Sequence, residues 1–139
     1  MNGPSPHLSW SELACKDAAR TPYPEQWRDT RLPKLAAAFE ALRALVGQPL
    51  EILSAYRTPA HNRASHGALN SQHVEGRALD LRPPQGWTVE RLAGLARQIP
   101  AIRGIGVYPT FVHIDVRPTE RLARWTGNRP SADVGTGSE

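Results

Sequence analysis

The chain has 139 residues, 40% of them hydrophobic and 22% charged, which suits one soluble globular domain and excludes a wholly disordered or membrane-embedded chain. Its single cysteine, Cys15, excludes an internal disulfide framework and any multi-cysteine metal site, so a bound metal would need histidine and carboxylate ligands. The formal charge of +4 suits an anionic partner, but the arginines are scattered among acids and prolines and no nucleic-acid motif accompanies them, so a nucleic-acid-binding module is the weakest reading.

The N-terminal stretch lacks the charged start and apolar run of a secretory signal, and no segment is apolar for long enough to span a bilayer. The expectation is a chain that stays in the cytoplasm or is delivered by other means. Ser9 and Glu12 have the spacing of a capping box, predicting a short helix from Ser9 toward Lys16. Residues 21–27, with Pro22 and Pro24, read as a loop. Leu32, Leu35, Phe39, Leu42 and Val46 recur at helical spacing and mark an amphipathic helix ending near Gly47. Residues 50–56 read as a strand, 59–67 as a polar loop and 77–82 as a second strand. Thr88 caps a helix carrying Leu92, Leu95, Ala96 and Ile99, stopped by Pro100. Residues 104–108 and 111–117 read as two strands paired antiparallel around Pro109 and Thr110. The order implies an α+β fold, a small antiparallel sheet with helices packed on one side. A single domain over 1–126 is followed by a tail, 127–139, rich in Gly, Ser and Pro and expected to be disordered.

Two of these strands carry chemistry. The period of two sends Val112, Ile114 and Val116 to one face and His113, Asp115 and Arg117 to the other. In the preceding strand Leu79 and Leu81 point one way, Ala78 and Asp80 the other. If both strands bury their aliphatic faces together, Asp80 joins His113 on the polar side, and Gly76 permits a turn that brings His73 over the same face. Two imidazoles and one carboxylate form a ligand set known for catalytic zinc. Any one of these residues alone reads more readily as structural or solvated; their convergence on one face carries the assignment. Asp115, two residues beyond His113 and so on the same face, is the best candidate for the general base acting on a water at the metal, with a carboxylate that only orients His113 as the alternative. His61 and His66 could edge the cleft but read more readily as solvent-facing loop residues, and Trp125 could wall the cleft but reads more readily as a residue closing the core.

The segment Ser71-Gln72-His73-Val74-Glu75-Gly76-Arg77-Ala78-Leu79-Asp80 resembles the Ser-x-His-x-x-Gly-x-Ala-x-Asp signature of the zinc D-Ala-D-Ala carboxypeptidases and related peptidoglycan endopeptidases, peptidase family M15, whose fold is shared by the hedgehog signalling domain. Ser54 to Thr58 is similar to that family's second motif, and Gly106 to Tyr108 with His113 to Asp115 to its third, so the motifs span roughly 50–125. The resemblance implies a hedgehog-like fold and makes His73 and Asp80 the first two zinc ligands. Relatives commonly end in His-x-His or Glu-x-x-His where this chain has His113-Ile114-Asp115. His113 is assigned as third ligand, with Asp115 as the alternative. The resemblance also implies that Arg57 faces the substrate, as a fork for a carboxylate or for the developing oxyanion, and that Ser71 is a substrate-side or supporting hydroxyl.

The implied function is zinc-dependent hydrolysis of peptide bonds in bacterial peptidoglycan stem peptides, by a carboxypeptidase or an L-Ala-D-Glu type endopeptidase, in a monomer whose basic charge suits the anionic cell wall. A phage or prophage lysis or tail enzyme would fit this description. The alternative is a non-catalytic zinc-containing binding domain of the same fold.

Overall fold

A computed structural model describes residues 2–65 and 71–129 of the chain. Ser9 caps α1 (Trp10–Leu13) through the expected reciprocal bonds: its Oγ accepts the Glu12 N–H, and the Glu12 carboxylate accepts the Ser9 N–H. The helix is shorter than expected, because Ala14 is already extended. A 3-10 turn, Glu25–Trp27, interrupts the loop expected at 21–27. Helix α2 (Leu32–Val46) begins with Pro33 in its first turn and ends at Gly47, whose φ of 76° makes the left-handed stop that glycine takes most readily.

Strand β1 (Glu51–Ser54) is followed by α3 (Pro59–Ala64) where a loop was expected. The local chemistry explains the difference. Thr58 accepts the His61 N–H as an N-cap, and Pro59 occupies the first turn, where its missing N–H costs nothing. His61 is thus a half-buried helical residue, while His66 and Gly67 lie outside the described residues. Strand β2 (Ala78–Arg82), helix α4 (Val89–Ala96, capped by Thr88), and strands β3 (Gly104–Val107) and β4 (Val112–Asp115) follow. A further strand, β5 (Ala123–Thr126), was not expected.

The sheet order is β1-β2-β4-β3-β5, antiparallel throughout except for the parallel β3–β5 pair. Leu79, Leu81, Ile105, Val112 and Ile114 form one face, which joins the buried residues of α2 and α4 in a single core. The opposite face is where the register matters. Asp80 lies opposite His113, Gly106 lies opposite His113 on the other side, and Ala78 and Gly104 flank Asp115. The fold is α+β, as expected. Ordered structure runs on past β5: Gly127 donates to the Val107 carbonyl at 2.9 Å, and Arg129 is buried. Residues 130–139 of the expected tail lie outside the described residues. Among the described residues no helix is long and apolar enough to cross a membrane.

The turn before β2 depends on Gly76. Its φ is 70°, and an added Cβ would lie 2.7 Å from the Trp27 ring and 2.9 Å from the Tyr23 hydroxyl oxygen. That hydroxyl donates to the Gly76 carbonyl at 2.7 Å, clamping the turn onto the N-terminal half. Gly76→Ala is expected to destabilise the fold by about 1–3 kcal/mol from the left-handed backbone alone. The displaced rings would add to that loss. Urea unfolding measures it, and an unchanged midpoint would show that the turn tolerates a side chain.

Candidate metal centre

The two polar strand residues and the turn residue meet as the alternation requires. His73 Nε2 is 3.1 Å from Asp80 Oδ1, His113 Nδ1 is 3.1 Å from the same oxygen, and the two nitrogens are 3.2 Å apart. All these side chains are fully buried. His73, Asp80 and His113 therefore form a group able to hold a metal ion, each offering one ligand atom.

What lies behind each candidate ligand decides which atom it offers. His73 Nδ1 is 2.6 Å from the Ala55 carbonyl oxygen, which can only accept, so Nδ1 carries the hydrogen and Nε2 presents a lone pair inward. His113 Nε2 is 2.8 Å from Asp115 Oδ2, so Nε2 donates outward and Nδ1 faces the other two ligands. The Asp80 carboxylate is divided. Oδ1 faces the imidazoles, while Oδ2 accepts from Arg57 Nη2 at 3.1 Å. The donor set fits zinc in type, and the spacings fit as well. Ligands about 2.0–2.1 Å from a tetrahedral zinc stand roughly 3.3 Å apart.

The surrounding groups shift the ionisation of this cluster. Burial would raise the Asp80 carboxyl, but His73 and His113 outweigh it and hold the group far below the usual carboxylate range. Burial and the Arg57 charge push His73 down, against the pull of Asp80. His113 is also disfavoured as a cation by burial, yet its bonds to Asp115 and Asp80 raise it to about 9. Asp115, despite burial, is held well below its ordinary value by Arg117 and His113.

Arg57 is fully buried, with Nε donating to Ser54 Oγ at 3.2 Å and Nη1 to Asn62 Oδ1 at 3.3 Å, besides its bond to Asp80. Ser71 is buried and its Oγ accepts the His73 N–H at 3.1 Å, fixing the turn that carries the ligand. Asp115 accepts from the backbone N–H, Nε and Nη2 of Arg117 at 3.2, 2.8 and 2.7 Å in addition to His113. Trp125 takes the lesser of its two expected positions, beside the polar face and not in the core: its ring centroid is 5.1 Å from that of His113, its indole fills the space above Gly106, and its Nε1–H donates to the Tyr108 hydroxyl. Sequence reasoning assigned no role to Ser54, the Ala55 carbonyl, Asn62 or Arg117. For Arg117 a signal existed in the alternation His113-x-Asp115-x-Arg117, and Ser54 and Ala55 lie within the second family motif; for Asn62 there was none.

Residues 6–115 match the family model described as Peptidase M15, a span that contains every candidate site residue and ends before β5. No curated protein matches the chain.

Because His113 is held at about 9, a cation arriving at Nδ1 must displace a proton. At pH 7 zinc binding is expected to release about one proton per chain, and affinity should fall about tenfold per pH unit as pH drops below that value. Calorimetric titration in buffers of different ionisation enthalpy counts the proton. A count of zero at pH 7 would show that His113 is not displaced from a protonated state.

Proposed function

The chain belongs to the peptidase M15 family, and from that premise we propose that it is a zinc-dependent, monomeric hydrolase cutting peptide bonds in the stem peptides of bacterial peptidoglycan, with the metal on His73 Nε2, Asp80 Oδ1 and His113 Nδ1. The observation that carries this reading is the convergence of two imidazole nitrogens and one carboxylate oxygen within 3.1–3.2 Å of one another at the centre of the sheet's polar face. When bound, zinc would polarise the scissile carbonyl and lower the pKa of a water to around 7.

The chain's own residues prepare that chemistry. Arg57 binds Asp80 Oδ2 and so leaves Oδ1 for the metal; its buried guanidinium also supplies the positive charge that the family resemblance places beside the substrate. Ser71 holds the His73 turn. For Asp115 the contacts favour orientation of His113 over the role of base. A general base needs a lone pair free toward the proton it takes, whereas Asp115 already accepts from His113 Nε2 and from three donors on Arg117. The choice of peptidoglycan rests on the family, and the charge of +4 suits its anionic polymer setting.

One observation favours a second reading, a zinc-containing binding domain without catalysis: His73, Asp80 and His113 are each 0% exposed, and structural zinc sites are closed whereas catalytic ones keep an open position. Turnover separates the two. Zinc-loaded protein incubated with purified cell-wall peptides should give fragments by mass analysis that a chelator abolishes. Bound zinc with no fragment would support the binding domain.

Asp115→Asn decides the remaining role. If Asp115 orients His113, the variant should lose zinc affinity by about 10–100-fold. Full zinc affinity with turnover down about a hundredfold would instead make Asp115 the base.

A further inference from the structure

The polar side of β4 continues one step beyond the ligands and their immediate partners. Arg117 approaches the Asp115 carboxylate edge-on, Nε to Oδ1 at 2.8 Å and Nη2 to Oδ2 at 2.7 Å, and adds its backbone N–H to Oδ1 at 3.2 Å. Oδ2 is the same atom that takes His113 Nε2. The Arg117 guanidinium carbon also stands 5.4 Å from the centroid of the Trp125 ring, the indole packed against His113. Gly104 makes room for this arrangement, since a Cβ there would lie 2.2–2.5 Å from the Asp115 carboxylate atoms.

We propose that Arg117 is a positioning residue of the metal centre: its two-pronged bond fixes the plane of the Asp115 carboxylate, and through it the tautomer and ring orientation of His113. The inference rests on the zinc assignment made above. The terminal torsion of an aspartate is soft, so an Asp115 held only by His113 could rotate Oδ2 away from Nε2. The imidazole hydrogen could then move to Nδ1, the atom aimed at His73 and Asp80. A bidentate guanidinium removes that freedom because both carboxylate oxygens are engaged in one plane. Lysine, a point charge, cannot. The pair is also unlike an ordinary surface salt bridge, since Asp115 is fully buried and the Arg117 side chain only 19% exposed.

Chelator competition on the full-length chain tests this with Arg117→Gln, Arg117→Lys, Asp115→Ala and the Arg117→Gln/Asp115→Ala double variant. Arg117→Gln should weaken zinc binding about tenfold or more, the scale of lost outer partners, and Arg117→Lys should recover only part of it. In the Asp115→Ala background, Arg117→Gln should change affinity less than about twofold, because an effect relayed through Asp115 has nothing left to relay. Nitrogen chemical shifts of the histidine rings, recorded without zinc at a pH above about 9, where the His113 ring is neutral, should show its hydrogen on Nε2 in the parent chain and a mixture of tautomers in Arg117→Gln. Equal zinc affinity for the parent and Arg117→Gln, or full additivity in the double variant, would overturn the proposal. Should the parent chain itself fail to bind zinc, the ligand assignment falls, a result distinguishable from a failure confined to Arg117.

Discussion

Two imidazole nitrogens and a carboxylate oxygen held 3.1–3.2 Å apart inside a protein are tolerable only when positive charge lies among them, as protons or as a cation. Burial removes the water that would otherwise solvate these groups, and an unpaired buried charge is costly. Much of the polar face can be understood as the response to this constraint. Arg57 sits against Asp80, His113 is held protonated up to about 9, and each imidazole has an outward acceptor that fixes its hydrogen.

The sheet makes the cluster possible by its order. With β2 and β4 adjacent and antiparallel, Asp80 and His113 face one another directly, and the same register puts their aliphatic neighbours into the core with α2 and α4. The cost of burying the polar cluster is thus offset by apolar burial on the reverse of the same strands. On the far side of β4, the glycines of β3 leave space for Asp115 and for Trp125. Trp125 comes from β5, which lies beyond the span matched by the family. The peptidase scaffold over 6–115 therefore carries the His73–Asp80–His113 cluster, while the wall beside His113 comes from the segment that follows.

Period-two alternation made Asp80 and His113 readable in the sequence, because the side that cannot enter the core must face something else, while His73 was readable from the Gly76 turn and the family motif. The long helix α2 and the β3–β4 pair were readable for the same kind of reason, a strong apolar pattern with clear stops. Helix α3 was not, since its polar composition suggests a loop and only Thr58 and Pro59 signal a start. Strand β5, Ala123-Arg124-Trp125-Thr126, alternates over only four residues, too short a run to mark a strand, and its pairing depends on the free edge of β3. The partners behind the ligands were hidden for a similar reason. That Ala55 offers its carbonyl to His73, or that Asn62 meets Arg57, follows from how distant segments cross and not from any local pattern.

The proposal that zinc binds at His73, Asp80 and His113 is the claim on which the rest turns, and anomalous diffraction at the zinc edge from crystals of zinc-loaded protein tests it most directly. One peak per chain is predicted, within about 2.0–2.2 Å of His73 Nε2, Asp80 Oδ1 and His113 Nδ1. A peak bound elsewhere, or a fully loaded site in which Asp115 replaces His113 as ligand, would contradict the account.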